Sequence, residues 1–368
     1  MQMSWVNDVW EKVEKKLALT SSRTANDMFP YTTENGRFVA KGNLYWWTNG
    51  FWVGILWLMY NETKDTKYKT LAESLEVKLD EPLYGFDGLH HDVGFMWLLS
   101  SVANYRLTGN EESKKRGMIA ASVLASRYNM AGKFIRAWNR ERVGWSIIDT
   151  MMNLPLLYWA SRETDDPRFS HIAQSHADTV LETFIRPDGS VIHINCFDPE
   201  TGELLENLGG QGYTEGSSWT RGQSWAIYGL ALSYIHTKQQ KYLDAAKKVA
   251  HYFIAALAAA DDFVPNCDFR APAEPVYKDT TAGVIAACGM IEISRQLPEF
   301  EKDLYFNAAL KILKATERDY ANWSDDEDSI IQMGTESYKN KHNIPIIYAD
   351  YYFIEALSKL RGKDVLFW

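Results

Sequence analysis

Apolar residues in this chain fall into runs of two kinds, and the two kinds alternate. The stretch "WTNGFWVGILWLMY" is apolar on every side of a helix, whereas the following "YKTLAESLEVKL" carries its apolar residues as one stripe. A helix apolar all round must be buried, and one with a single stripe lies between core and water. The same couplet recurs from "HHDVGFMWLLSSVANYRLTG", "IIDTMMNLPLLYWASRETDDP", "WTRGQSWAIYGLALSYIHT" and "TTAGVIAACGMIEISRQLP", each followed by an amphipathic partner. The turns between partners fall at Glu62-Thr63-Lys64-Asp65, Thr108-Gly109-Asn110, Thr164-Asp165-Asp166-Pro167, Thr237-Lys238-Gln239 and Leu297-Pro298-Glu299. Such polar, Gly- and Pro-bearing breaks end one helix and open the next.

These couplets predict five helical hairpins, too irregular in spacing for a strict-period solenoid. Two helices remain: an N-terminal one with Trp5, Val6, Trp10, Val13 and Leu17 at helical spacing, and a C-terminal one in "YADYYFIEALSKLRG". Paired with each other they make a sixth hairpin and close a ring. The predicted fold is therefore all-α, a single (α/α)6-barrel domain over residues 1–368. The rival is an open α-solenoid, which leaves the end helices unpaired. "SVIHINCFD" and "GKFIRAW" read as rim loops with small hairpins.

In a closed ring all inner helices run in one direction, so their N-termini share one rim. That groups Trp47-Thr48-Asn49, His90-His91-Asp92, Ile148-Asp149-Thr150, Trp219-Thr220-Arg221, Asp279-Thr280-Thr281 and Tyr348-Ala349-Asp350 around one cup. Helix N-termini add partial positive charge there, which favours an anionic ligand.

The candidate chemistry lies in this cup. Asp92 and Asp149 are read either as helix N-caps or as a catalytic pair. Asp149 follows Ile147 and Ile148, and a poorly solvated carboxyl near a second one holds its proton more tightly, as a general acid requires. Arg221, between Trp219 and Trp225, is either a structural arginine bonded to loop carbonyls or a clamp for a substrate carboxylate. The glycine-rich "NLGGQGYTEGSSW" has neither the context nor the Lys of a phosphate loop, and reads as a loop carrying Gln211 into the cup. The histidines lack metal-ligand spacing, so His91 and His193 are read as hydrogen-bonding groups and no metal is expected.

Composition narrows the class. Trp 14, Tyr 20 and Phe 16 are a surplus suited to stacking on sugar faces, or simply to core packing. A net charge of −9 argues against nucleic acid. No stretch is apolar enough for a membrane span, and the N-terminus has no signal-peptide pattern. Cys196, Cys267 and Cys288 suggest no disulfide framework. A cytoplasmic setting is the expectation.

Taken together, "WTNGFWVGILWLMY", "LHHDVGFMW", "IIDTMMNLPLLYWA", "GSSWTRGQSWAIYG" and "ADYYFIEAL" resemble the unsaturated glucuronyl hydrolases of glycoside hydrolase family 88. The unsaturated rhamnogalacturonyl hydrolases are more distantly similar. The resemblance implies an (α/α)6 barrel that uses no metal or organic cofactor. Its substrate is a small oligosaccharide, left by a polysaccharide lyase, whose terminal uronic acid has a C4=C5 double bond. Hydration of that vinyl ether releases the remaining sugar. By the same resemblance Asp149 matches the general acid/base and Asp92 the second essential carboxylate. Trp47, His91, Trp138, His193, Gln211, Trp219, Arg221 and Trp225 fall on motifs that line the sugar pocket.

Two departures are visible. The family's usual "WTDG" is "WTNG" here, so Asn49 is expected to keep a capping oxygen while losing a charge. Members that prefer sulfated fragments resemble one another in a Ser-x-x-Ser-x-Lys run. "ESYKNKHNIPIIYAD" keeps Ser337 and supplies Lys339 and Lys341, but not at that spacing, so the resemblance does not extend to a sulfate preference. Rival activities are rhamnogalacturonyl hydrolysis and conventional inverting glycosidase action, which also uses two carboxyls. A non-catalytic sugar-binding scaffold is a third, and an aspartate inside an apolar run argues against it.

Overall fold

Helices without a polar face can be stable only inside, and the computed structural model, which describes residues 2–260 and 262–368, places them there. The inner ring consists of Asn49–Thr63, residues 93–108, Leu154–Thr164, Thr220–Thr237, Thr280–Arg295 and Ile347–Arg361. Every residue from Asn49 to Met59, from Thr220 to Ser233 and from Thr280 to Ser294 is buried. Around it lie Gln2–Arg23, Thr66–Lys78, Glu111–Ser126, Arg168–Thr183, Gln240–Ala260 and Glu299–Tyr320. Their stripes face inward: Val6, Val9, Trp10, Val13 and Leu17 are buried on the first of them.

The first and last helices pair, with Arg361 donating to Asn7 Oδ1 at 2.9 Å and lying 4.9 Å from the Trp10 ring. The ring is thus closed, an (α/α) barrel rather than an open solenoid, and one continuous core runs from Val6 to Trp368. Trp368 is fully buried at the base and stacks on Tyr352. The five expected turns are present. Lys64, Gly109, Asp165 and Lys238 take left-handed conformations at helix ends, and the Asn110 side chain caps the helix that follows it.

The rim carries more strand than the sequence pattern shows. Trp145–Ile147, Ile194–Phe197 and Leu204–Leu208 form a three-stranded antiparallel sheet with Ser146 opposite Asn195. Pro30–Glu34 and Arg37–Ala40 add a hairpin that was not expected, and Tyr128–Asn129 pairs with Phe134–Ile135. The second inner segment is also interrupted, by a π-helical turn at Leu98–Val102. Among the described residues no helix is long and apolar enough to cross a membrane.

Candidate active site

The inner helix starts converge on a cavity of about 440 Å³, within the usual size range of ligand sites. Tyr31, Trp46, Trp47, His91, Asp92, Trp138, Asp149, Gln211, Trp219, Arg221, Glu336 and Tyr348 are on its wall. An outer cleft of about 570 Å³ continues it, sharing Trp138 and Gln211 and adding Arg142, Trp145, His193 and Lys339. Trp138 stands at the junction, edge-on to Trp145, with the Arg142 guanidinium 4.9 Å and 4.8 Å from the two rings.

Neither aspartate caps its own helix. For Asp92 the reason is Asn153, which precedes the Leu154–Thr164 helix. Its Oδ1 accepts from Phe95 N at 2.9 Å, capping the neighbouring helix start. Its Nδ2 reaches Asp92 Oδ1 at 3.4 Å and Asp149 O at 3.2 Å. The approach requires Gly94, where a Cβ would lie 2.6 Å from Asn153 Cα. Asp92 is thereby left to its histidines: Oδ2 is 3.2 Å from His90 Nδ1 and 3.4 Å from His91 Nε2. Burial lifts this carboxyl's proton affinity, but His91 and His90 outweigh it and hold Asp92 ionised, well below the usual carboxylate range.

Asp149 stands in a short 3-10 turn, Ile148–Met152, with 13% of its side chain exposed. Its Oδ1 is buried and makes no hydrogen bond among the described residues. Opposite it, at 3.5 Å, is His193 Nε2. The sheet makes this pairing, because Ile148 N donates to His193 O at 3.1 Å just before strand Ile194–Phe197. His193 Nδ1 accepts from Gln211 N at 3.0 Å, which leaves the ring's hydrogen on Nε2, facing Asp149. Gly210 makes room for this contact, since a Cβ there would fall 2.0 Å from Nδ1 and φ is +59°.

Arg221 has the bonds to loop carbonyls that one reading of its sequence expects. Nη1 donates to Asp279 Oδ2 at 2.9 Å and Thr335 O at 2.6 Å, and Nη2 to Glu336 O at 2.5 Å. Its guanidinium also lies 4.5 Å from the Trp219 ring. Among the described residues Nε and the second Nη2 hydrogen remain uncommitted. Gln211 joins the same loop, Nε2 donating to Glu336 O at 2.6 Å.

Two expectations are corrected. Trp225 does not line the cavity: one helical turn below Arg221, it is fully buried against Phe95 and Tyr352 and forms the packing beneath the cup. Asn49 does not act through a capping oxygen. Its Nδ2 donates to the carbonyls of Asn43 and Leu44, both at 3.0 Å, a role an aspartate cannot fill.

Several site residues were not found in the sequence. Asn153 was findable as a cap before Leu-Pro. Tyr31 and Glu336 were not, because the 30–40 hairpin and the 333–343 loop meet only in three dimensions. Tyr31 Oη donates to Glu336 Oε2 at 2.5 Å, and Lys341 lies 3.1 Å from the same oxygen. Lys41 stands 3.9 Å from the Tyr31 ring centroid, and burial and Lys341 push its ammonium down to about 8. Arg127 fixes the wall from behind, donating to the carbonyls of Leu89, Arg136, Ala137 and Trp138.

The family model for Glycosyl Hydrolase Family 88 matches residues 20–262. The chain belongs to glycosyl hydrolase family 88. It is 37% identical to the unsaturated glucuronyl hydrolase of Bacillus sp. (strain GL1), with 93% of each chain covered. It is 35% identical to the unsaturated chondroitin disaccharide hydrolase of Streptococcus pneumoniae, covering 99% of this chain and 93% of the relative. The crystal structure of the unsaturated glucuronyl hydrolase from Streptococcus agalactiae superimposes with a TM-score of 0.93 at 31% identity, covering 100% of this chain and 94% of that one. The family 88 barrel thus extends over the elements that build the cup described above.

Proposed function

We propose that this protein is an unsaturated glucuronyl hydrolase, removing the 4,5-unsaturated uronic acid from the non-reducing end of glycosaminoglycan-type disaccharides. The observation that carries the reading is the unequal pair of carboxyls. Asp92 is held ionised between two histidines, while Asp149, on the wall of the same cavity, has an oxygen that makes no hydrogen bond among the described residues. An enol ether needs a proton at C4, and Asp149 is the group free to deliver it. Positive charge then develops at C5 and the ring oxygen, where ionised Asp92 is stabilising. Water adds at C5 and returns its proton to Asp149. The hemiketal opens to a C5 ketone and the remaining sugar leaves.

Arg221 meets the uronate through its uncommitted hydrogens. Trp47 and Trp219 flank the ring, and the outer cleft beyond Trp138 receives the leaving sugar. The names of the relatives support this substrate class.

The test is an unsaturated chondroitin disaccharide turned over in heavy water. Hydration puts deuterium on C4 of the keto-sugar at the earliest time points, before exchange beside the new carbonyl scrambles the label. The disaccharide with its double bond reduced is inert. Cleavage of the reduced sugar, or early product without the label, replaces hydration with direct glycoside hydrolysis.

A further inference from the structure

Two consecutive histidines converge on one carboxylate oxygen at the cavity wall, one of them from a buried position. His91 is 1% exposed, and its Nε2 makes no hydrogen bond among the described residues. It lies 3.4 Å from Asp92 Oδ2, and His90 Nδ1 lies 3.2 Å from that oxygen. Ligands at about 2.0–2.1 Å from a tetrahedral zinc ion are roughly 3.3 Å apart, so both separations match the edge of a zinc site. All three donor atoms lie within 4.8 Å of one another. His90, a quarter of whose side chain is exposed, is free to swing the remaining distance.

The surroundings also fit a metal. Metal-bound imidazoles are oriented by a partner on their other nitrogen. His91 Nδ1 has one in Thr150 Oγ1 at 2.6 Å. His90, His91 and Asp92 all face the cavity, leaving the fourth position open to water or a sugar hydroxyl.

We propose that His90, His91 and Asp92 form a binding site for a divalent transition-metal ion, zinc foremost, and that its occupation shuts the pocket down. Bound zinc ties up Asp92 and stands where the sugar must enter, so it competes with substrate and takes no part in the reaction. The donor set of two imidazoles and one carboxylate selects zinc, cobalt or copper over magnesium and calcium, which prefer all-oxygen shells.

Binding is tested directly on chelator-treated protein by calorimetry with zinc chloride, and with cobalt(II) by its visible spectrum. One ion per chain, a tetrahedral cobalt spectrum and no heat from magnesium chloride are expected. His90→Gln and Asp92→Asn each weaken zinc binding more than tenfold. Thr150→Val, which keeps all three donors, weakens it by about ten- to a hundredfold. No saturable zinc binding overturns the proposal, as does zinc binding that His90→Gln and Asp92→Asn leave unchanged. The inhibitory part rests on the proposed activity and is read separately. Where the unsaturated disaccharide is turned over, zinc must raise its apparent KM and chelator must reverse the effect; inhibition of kcat alone overturns competition. Zinc binding in a protein inactive on that sugar rejects the activity and keeps the site.

Discussion

Replacing Arg221 by methionine keeps most of its volume and removes its charge, and the expected damage can be worked out from its partners. Asp279 is fully buried, and burial alone pushes its carboxyl above the ordinary range. Arg221 at 2.9 Å is the cation that opposes this. Without it, Asp279 either stays ionised in a dry site or takes up a proton. Breaking a buried pair by removing one partner typically costs about 3–5 kcal/mol. Protonation caps that cost: for an unfolded carboxyl near 3.9 it takes about 4 kcal/mol at pH 7 but only about 1.5 kcal/mol at pH 5. With the folded proton affinity above the unfolded one, the folded state binds more protons in this window and the variant loses stability as pH rises. Urea unfolding followed by tryptophan emission should therefore show a larger penalty at pH 7 than at pH 5, by at most roughly 2–3 kcal/mol because the wild-type carboxyl is already raised. Arg221→Met/Asp279→Asn, with no buried charge left, should lose that pH dependence. An equal penalty at both pH values, or a slope surviving in the double variant, refutes the reasoning.

The other predictions concern single contacts. Asp149→Asn is nearly isosteric but cannot deliver a proton; turnover of unsaturated chondroitin disaccharide, followed by loss of double-bond absorbance, should fall roughly a hundred- to ten-thousandfold with the thermal midpoint unchanged. Activity within a few-fold of wild type would remove Asp149 as the acid. Asn153→Ala loses the cap on Phe95 N and a support of both aspartates; it should cost about 1–2 kcal/mol in chemical denaturation and lower kcat more than it alters KM. Asn49→Asp turns a carboxylate toward two carbonyls and should cost about 1–3 kcal/mol, although the family usually carries aspartate at this position. A neutral effect would mean that the 43–49 loop does not depend on the Asn49 amide.

Which features were legible in the sequence follows from how local their causes are. The alternation of inner and outer helices is written in periodicity, and closure follows from the two end helices that had no other partner. Co-directional inner helices then grouped Trp47, His91, Asp92, Asp149, Trp219, Arg221 and Tyr348 before any coordinates were needed. Depth along a helix was not legible: Trp225 is only four residues from Arg221, yet one turn carries it under the cup. Pairing was not legible either. Arg221 and Asp279 sat in adjacent rim groups, but their contact depends on where loop 333–343 lays its carbonyls. The role of Asn49 depends on which end of its amide meets the Asn43 and Leu44 carbonyls, a matter of loop path. The π-helical turn at Leu98–Val102 has no sequence signal that periodicity can register.

A ring of co-directional helices creates a difficulty that this site resolves in a particular way. Each inner start presents unpaired backbone N–H groups to the same rim, and an aspartate at such a start is normally consumed as a cap. The sequence supplies aspartates at four of those six starts, yet the structure does not spend them on their own helices. Asn153 caps the neighbouring Phe95 N, which leaves Asp92 to two histidines, and Asp149 lies inside a 3-10 turn with an unbonded oxygen. Asp279 neutralises Arg221, and Asp350 accepts from Ile330 N and Ile331 N, tying down the loop that leads to Glu336. Two of the four therefore build the wall, and the other two are kept chemically available. One asparagine at a helix start is what separates the two uses, and for this reason its removal is expected to reach turnover through groups that it only positions.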